Sequence, residues 1–163
     1  MSIKVGWRPT RRQLLFGGLA VVVAAGAVTA WALQPHPEPR QREYLDATAC
    51  LLTDQQGISS SQAAPVWSAM SAAGTAHLVR VQYLAVNGEQ TAGNASTYLT
   101  SLADGRCGVV IAVGAAQVAA VSDIARTSPA VRFATVGGGT AAANVQLLAT
   151  GEQAGDLVAA LAG

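Results

Sequence analysis

Between residues 47 and 163, short apolar segments alternate with longer segments of helical character, and this alternation constrains the fold more than any other feature. The apolar segments are rich in Val, Ile, Leu and Ala, as strands buried on both faces are. They lie at 47–53, 78–86, 108–113 and 132–136, and a fifth strand is allowed at 144–148. Helices of about ten to fifteen residues between strands connect them in parallel. The sequence therefore predicts an α/β fold, an open parallel-sheet three-layer sandwich with strand order 2-1-3-4.

The predicted helices are bounded by capping and helix-breaking residues. Ser59, Ser60 and Ser61 supply N-caps before a helix that contains Pro65, and Gly74 is expected to end that helix. The three other helices are predicted at 95–104, 116–126 and 152–161.

The residues before this body are predicted to tether it to a membrane. Residues 14–33 are twenty residues without a charge, enough at about 1.5 Å per residue to span a bilayer core of ~30 Å. Four cations and no acid precede this run, so the positive-inside rule makes residues 1–13 a cytoplasmic basic segment. Residues 34–46 form a proline-rich spacer. We therefore expect residues 47–163 to lie outside the cytoplasm, attached to the cell membrane by a single-pass anchor.

A cleaved export signal is the alternative for the same segment. Arg11 and Arg12 fit a twin-arginine pattern, and Ala30-Trp31-Ala32 fits a cleavage site. The apolar core of a cleaved signal usually holds about 7–15 residues, fewer than the twenty found here. The length favours a retained anchor over secretion, and both alternatives place the body outside the cytoplasm.

Charge and composition exclude several classes of function. From residue 33 onward the chain has six Arg, no Lys and nine acidic residues, which gives a net charge of −3. A body of this charge lacks the basic face that nucleic-acid binding requires. The two Cys and two His do not show the ligand spacing of a structural zinc site. We therefore expect neither a nucleic-acid partner nor a metal site.

No group of catalytic side chains is recognisable in the sequence. His77 is the one histidine that could act as a base for a serine, and it lies just before a predicted strand. Residues 137–142 fit the dinucleotide-binding pattern G-x-G-x-x-A, but that pattern belongs after the first strand, not the fourth. We interpret these glycines as a flexible connection and expect neither catalysis nor a cofactor.

Cys50 and Cys107 are predicted to form a disulfide. Each begins a predicted strand, and the predicted order makes these two strands neighbours, about 4.8 Å apart. That spacing lies within the range of roughly 4.4–6.8 Å between Cα atoms that a disulfide tolerates, and export supplies an oxidising compartment. The alternative is a pair of buried free thiols that pack as small apolar side chains.

The carboxyl ends of the predicted strands are the expected place for a ligand, because open parallel sheets bind ligands there, near the point where strand order reverses. These ends are Asp54, Asn87, Gly114 and Gly137. A carboxylate at Asp54 can accept hydrogen bonds from a ligand, with Gln55 and the backbone of Gly114 close by. The alternative role of Asp54 is to cap the turn that follows the first strand.

The same segments resemble a known family. Residues 50–58 (CLLTDQQGI), 107–114 (CGVVIAVG) and 129–137 (PAVRFATVG) resemble the first, third and fourth strands of the basic-membrane-protein family. Residues 144–148 and 152–161 resemble the strand and helix that close its first lobe. These proteins are extracytoplasmic solute-binding components of ABC transporters, and several bind purine nucleosides. The resemblance implies a nucleoside-like solute as ligand, a ligand contact at Asp54 and an ABC permease as partner.

The sequence departs from this family at three places. Family members have two lobes that close on the ligand, whereas residues 47–163 match the first lobe only. Ser59, Ser60 and Ser61 replace the Phe-Asn pair usual after the first-strand Asp, and no lipobox cysteine follows the apolar run. A single lobe leaves two further interpretations open: a homodimer, or a non-catalytic envelope module for interaction or dimerisation that has lost its ligand.

Overall fold

The computed structural model describes residues 43–163. The predicted basic segment 1–13, the anchor 14–33 and most of the spacer lie outside these residues. Within residues 43–163, no helix has both the length and the hydropathy needed to cross a membrane.

A five-stranded, all-parallel sheet forms the centre of residues 43–163, in the order β2-β1-β3-β4-β5. The strands are β1 Thr48–Thr53, β2 Arg80–Ala85, β3 Val109–Val113, β4 Arg132–Val136 and β5 Val145–Leu148. The helices are α1 Ala63–His77, α2 Ala92–Ala103, α3 Ala115–Thr127 and α4 Glu152–Ala159, and a 3-10 turn at Gly57–Ser59 precedes α1. The predicted α/β class, strand order and fifth strand are thus confirmed.

The helices cover both faces of the sheet. One apolar core contains Leu51 and Ile111 from the sheet together with buried residues of α1 and α4. The other contains Leu52 and Val110 together with buried residues of α2 and α3. Since every residue of β3 and all but the first of β1 are buried, these central strands are apolar throughout rather than alternating. The result is the predicted three-layer sandwich.

Gly74 does not end its helix, so that prediction was wrong. Helix α1 continues to His77 and ends at Leu78, whose backbone is left-handed with φ 57°. A Cβ on Gly74 would lie 2.8 Å from the backbone oxygen of Val79 and 2.9 Å from Val81 Cγ1. Glycine is therefore needed where the helix passes close to the start of β2. The left-handed Leu78 also explains why β2 begins at Arg80, two residues later than predicted.

The disulfide between Cys50 and Cys107 is confirmed, with Cα atoms 5.8 Å apart. Its placement differs from the prediction that each cysteine begins a strand. Cys50 is the third residue of β1 and pairs laterally with Val110, whereas Cys107 precedes β3 by two residues. The bond therefore joins the middle of β1 to the segment that leads into β3. The amide Nε2 of Gln82 on the neighbouring strand donates to Cys50 Sγ at 3.1 Å.

Candidate functional site at the strand ends

The order of the strands reverses between β1 and β3. From β1 the chain crosses through α1 to β2 on one side, and from β3 it crosses through α3 to β4 on the other. Helices α1 and α3 pack on opposite faces of the sheet, so the loops that follow β1 and β3 diverge. A crevice at such a switch point is where open α/β sheets bind ligands.

Asp54 and Gly114 are the first residues after these two strands, and the fold brings them together. An ideal Cβ built on Gly114 would lie 4.0 Å from Asp54 Cβ. Gly114 has φ 109° and is the N-cap of α3, a conformation that glycine adopts without strain. The first N–H groups of α3 have no carbonyl partner within the helix. The crevice thus combines a carboxylate with backbone donors.

Asp54 has one carboxylate oxygen in the local turn and one that is not used there. Its Oδ1 accepts a hydrogen bond from the backbone N–H of Gln56 at 2.9 Å, and its backbone oxygen accepts from Gly57 N at 3.0 Å. The turn-capping role is therefore present. Oδ2 accepts no hydrogen bond from any residue in 43–163, and the side chain is half-buried. One lone-pair-bearing oxygen of Asp54 is left for another donor.

The other predicted residues at this edge are less closely gathered. Gln55 follows Asp54 and is exposed. Asn87 lies on the turn after β2, which α2 holds in place: Asn94 Nδ2 donates to the backbone oxygen of Asn87 at 2.8 Å, and the Tyr98 hydroxyl accepts from Asn87 N at 3.3 Å. Gly137 begins the connection from β4 to β5 with φ 81°. Of the predicted positions, the structure places Gly114 beside Asp54.

Gln117 is a residue at this site that the sequence analysis missed. It is only 1% exposed, and its Oε1 occupies the space that a side chain on Gly114 would need. Its Nε2 donates to Gln90 Oε1 at 3.0 Å, and Gln90 Nε2 donates to the backbone oxygen of Val86 at 2.9 Å. Gln117 therefore links the loop after β2 to the start of α3. A polar residue at helical spacing from Ala120, Val121 and Ile124 was the available signal.

A small cavity borders Gly114 between the carboxyl ends of β3 and β4. Its volume is about 120 Å³, and it is lined by Gln62, Gly114, Ala115, Val118, Val136 and Gly137. Pockets that enclose a drug-sized ligand measure roughly 300–1,000 Å³. The residues described here therefore form an open site that would cover part of a solute.

A larger cavity of about 460 Å³ lies at the other end of the sheet, beside β5. It includes Val109 and Arg132, the first residues of β3 and β4. The Arg132 Nε donates to the backbone oxygen of Gly108 at 3.2 Å. This cavity is remote from the switch point, and we place the candidate site by topology rather than by volume.

The described residues place neither a metal-binding cluster nor a histidine at this edge of the sheet. Among residues 43–163, no three His, Cys, Asp or Glu side chains lie close enough together to hold a metal ion. His77 is the last residue of α1, at the edge of the sheet where the strands begin. It is therefore placed at the opposite edge from Asp54.

No protein-family profile matches the sequence, and no curated protein does so. Among solved structures, a protein described as a lipoprotein fragment from Peptoclostridium difficile 630 is similar, with a TM-score of 0.57 and 17% identity. The match covers 72% of this chain and 93% of that one. An ABC transporter solute-binding protein from Aeropyrum pernix K1 has a TM-score of 0.54 at 16% identity, over 62% of this chain and 28% of its own.

A transcriptional activator of the comK gene from Bacillus halodurans has a TM-score of 0.50 at 16% identity, over 61% of this chain and 33% of its own. At these identities the likeness concerns the fold alone. The fold of residues 43–163 is therefore similar to that of the lipoprotein fragment and to that of part of the ABC transporter solute-binding protein. Membership of the basic-membrane-protein family in particular stays a prediction.

Proposed function

We propose that residues 43–163 bind a small, polar, nucleoside-like solute at the carboxyl ends of β1 and β3, without catalysing a reaction. The observation that carries this proposal is that Asp54 lies beside Gly114 at the switch point and that its Oδ2 accepts no hydrogen bond within the turn. In the proposal, Asp54 Oδ2 accepts a hydrogen bond from the base or sugar of the solute. The start of α3 after Gly114 and the amide of Gln55 add polar contacts.

The proposed binding is weak for a single chain. Small-molecule sites usually cover about 70–90% of the ligand surface, and an open edge with a cavity of about 120 Å³ covers much less. We expect dissociation constants in the millimolar range. A second copy or an ABC permease facing this edge would supply the other wall of the site, and binding would then tighten.

We further propose that the binding body is held at the outer surface of the cell membrane by residues 14–33. Protease added to intact cells should then remove the body, and membranes washed with carbonate should retain the full chain. A processed soluble protein that begins near Leu33 would contradict the anchor, and detection in the cytosol would contradict both the anchor and the export.

Calorimetry of purine nucleosides with the full chain in detergent tests the proposed site. Asp54→Ala should abolish the heat of binding, because it removes the acceptor. Asp104→Ala is the matched control, since it removes a carboxylate that follows α2 at the opposite edge. Micromolar binding that survives Asp54→Ala would refute the site. No binding by monomer or dimer would favour the envelope interaction module instead.

A further inference from the structure

The arginines and the acids of residues 43–163 are distributed differently between the two edges of the sheet, because acids lie at both edges and the described arginines at one. Every described arginine lies at the edge where the strands begin. Arg80 and Arg132 start β2 and β4, and Arg106 precedes β3. Arg126 lies in the last turn of α3, and this helix runs back to the same edge.

The opposite edge, which carries the candidate site, has acids and no cation among the described residues. Asp54 follows β1, Glu89 follows β2, and Glu152 is the first residue of α4 after β5. Strands of five or six residues separate the two edges by about 17–20 Å at roughly 3.3 Å per residue. That separation is about twice the Debye length of ~8 Å at physiological ionic strength, so the arginines are screened from the site.

We infer that the solute bound at this edge carries no negative charge: it is an uncharged or cationic polar molecule rather than a phosphate or a carboxylate. This inference rests on the proposed function and narrows its ligand class. A phosphate site in a protein ordinarily pairs backbone donors with Arg or Lys. Here the backbone donors after Gly114 are present, but the charged group beside them is the Asp54 carboxylate.

The helix dipole of α3 favours a negatively charged ligand, but its effect is smaller than that of the Asp54 carboxylate. A helix N-terminus is equivalent to roughly half a positive charge, and its influence falls off within the first turn. Asp54 brings a full negative charge to the same crevice. Glu152 lies in the first turn of α4 and offsets the dipole of that helix in the same way. The local balance at this edge is therefore negative.

Matched pairs of solutes that differ by one phosphate test this inference. The full chain in detergent is titrated with adenosine and AMP, and with glucose and glucose 6-phosphate, with binding followed by NMR. The uncharged partner of a pair should bind at least tenfold more tightly at low ionic strength. The ratio of the two affinities should shrink as salt is added, because screening weakens the repulsion between the acids and the phosphate.

Charge-neutral variants at the two acids that do not contact the solute in the proposal show whether charge causes the discrimination. Combining Glu89→Gln and Glu152→Gln keeps the Asp54 oxygen that accepts from the solute, and it should reduce the preference for the uncharged partner from at least tenfold to about threefold. The control combines Glu43→Gln and Asp104→Asn, which removes the same charge at the other edge and should leave the ratio of the two affinities unchanged.

Two contrary outcomes are distinguishable. Binding of AMP or glucose 6-phosphate as tight as that of its uncharged partner would overturn this inference and leave the proposed solute site standing. A control variant that changes the ratio of affinities as much as the site variant does would also overturn this inference and leave the proposed solute site standing. No binding of any of the four solutes would overturn the proposed function and the inference together.

Discussion

The side chain of Gln117 fills the space beside Gly114 that any side chain at residue 114 would enter, so the two residues fit each other across the first turn of α3. Gln117 is buried and reaches Gln90 on the loop after β2. The packing of one edge of the crevice therefore depends on the absence of a Cβ at Gly114 and on the length of the glutamine side chain.

Replacement of Gly114 by alanine should destabilise the protein by about 3 kcal/mol. The left-handed φ costs an L-residue about 1–2 kcal/mol, and forcing Gln117 aside adds the cost of overpacking, about 1–3 kcal/mol. Gly137→Ala is the matched control, because Gly137 also has positive φ but has no atom within 4 Å of an added Cβ. It should lose about 1–2 kcal/mol in urea unfolding. Equal losses would show that Gln117 yields without cost.

The hydrogen bond between Gln117 and Gln90 should appear as a coupling energy of about 1 kcal/mol in a double-mutant cycle. The cycle compares Gln117→Ala, Gln90→Ala and the double variant by denaturant unfolding. Gln82→Ala with Gln117→Ala is the control pair, since Gln82 contacts the disulfide and shares no hydrogen bond with Gln117. Additive losses for the Gln90 pair would argue against a contribution of this bond to stability.

Removal of the disulfide should lower the free energy of unfolding by about 4 kcal/mol. The cysteines are 57 residues apart, and the chain-entropy model gives this magnitude for a loop of that length. Cys50→Ala, Cys107→Ala and the double variant should all lose similar amounts, because each breaks the same bond. Protein purified without reductant should contain no thiol that can be alkylated. Two alkylatable thiols would contradict the bond directly.

Gly74→Ala should destabilise the protein by about 1–3 kcal/mol, because the added Cβ meets the Val79 carbonyl and Val81. Gly93→Ala on α2 is the matched control, since an added Cβ there has no atom within 4 Å. It should raise stability by about 0.4–1 kcal/mol through helix propensity and the entropy of the unfolded chain. In thermal unfolding the two variants should therefore change the stability in opposite directions. A Gly74→Ala variant with unchanged stability would contradict the close approach of α1 to the start of β2.

The sheet could be predicted from the sequence because its central strands are buried on both faces. The uninterrupted apolar runs of β1 and β3 mark the middle of a parallel sheet, and the helices between them fix the direction of each crossover. The proximity of Asp54 and Gly114 also followed, because topology alone brings the ends of β1 and β3 together.

Features that depend on distant partners could not be predicted in this way. Gly74 has the sequence signal of a helix stop, and only the position of the Val79 carbonyl shows that it permits a close approach instead. Gln117 bonds to Gln90, 27 residues away, and no local pattern identifies that partner. The size of the cavity beside Gly114 depends on how Gln62, Val118 and Val136 pack together, which the order of elements does not determine.

The central claim is that a polar solute binds between Asp54 and Gly114, and NMR of the full chain labelled with ¹⁵N-aspartate and ¹⁵N-glycine tests it most directly. Millimolar adenosine should shift the amide signals of Asp54 and Gly114 and leave those of Asp104 and Gly93 in place. The shifts should disappear in Asp54→Ala. Shifts confined to Gly108, whose carbonyl oxygen accepts a hydrogen bond from Arg132 Nε at the opposite edge, or no shifts at all, would contradict the site.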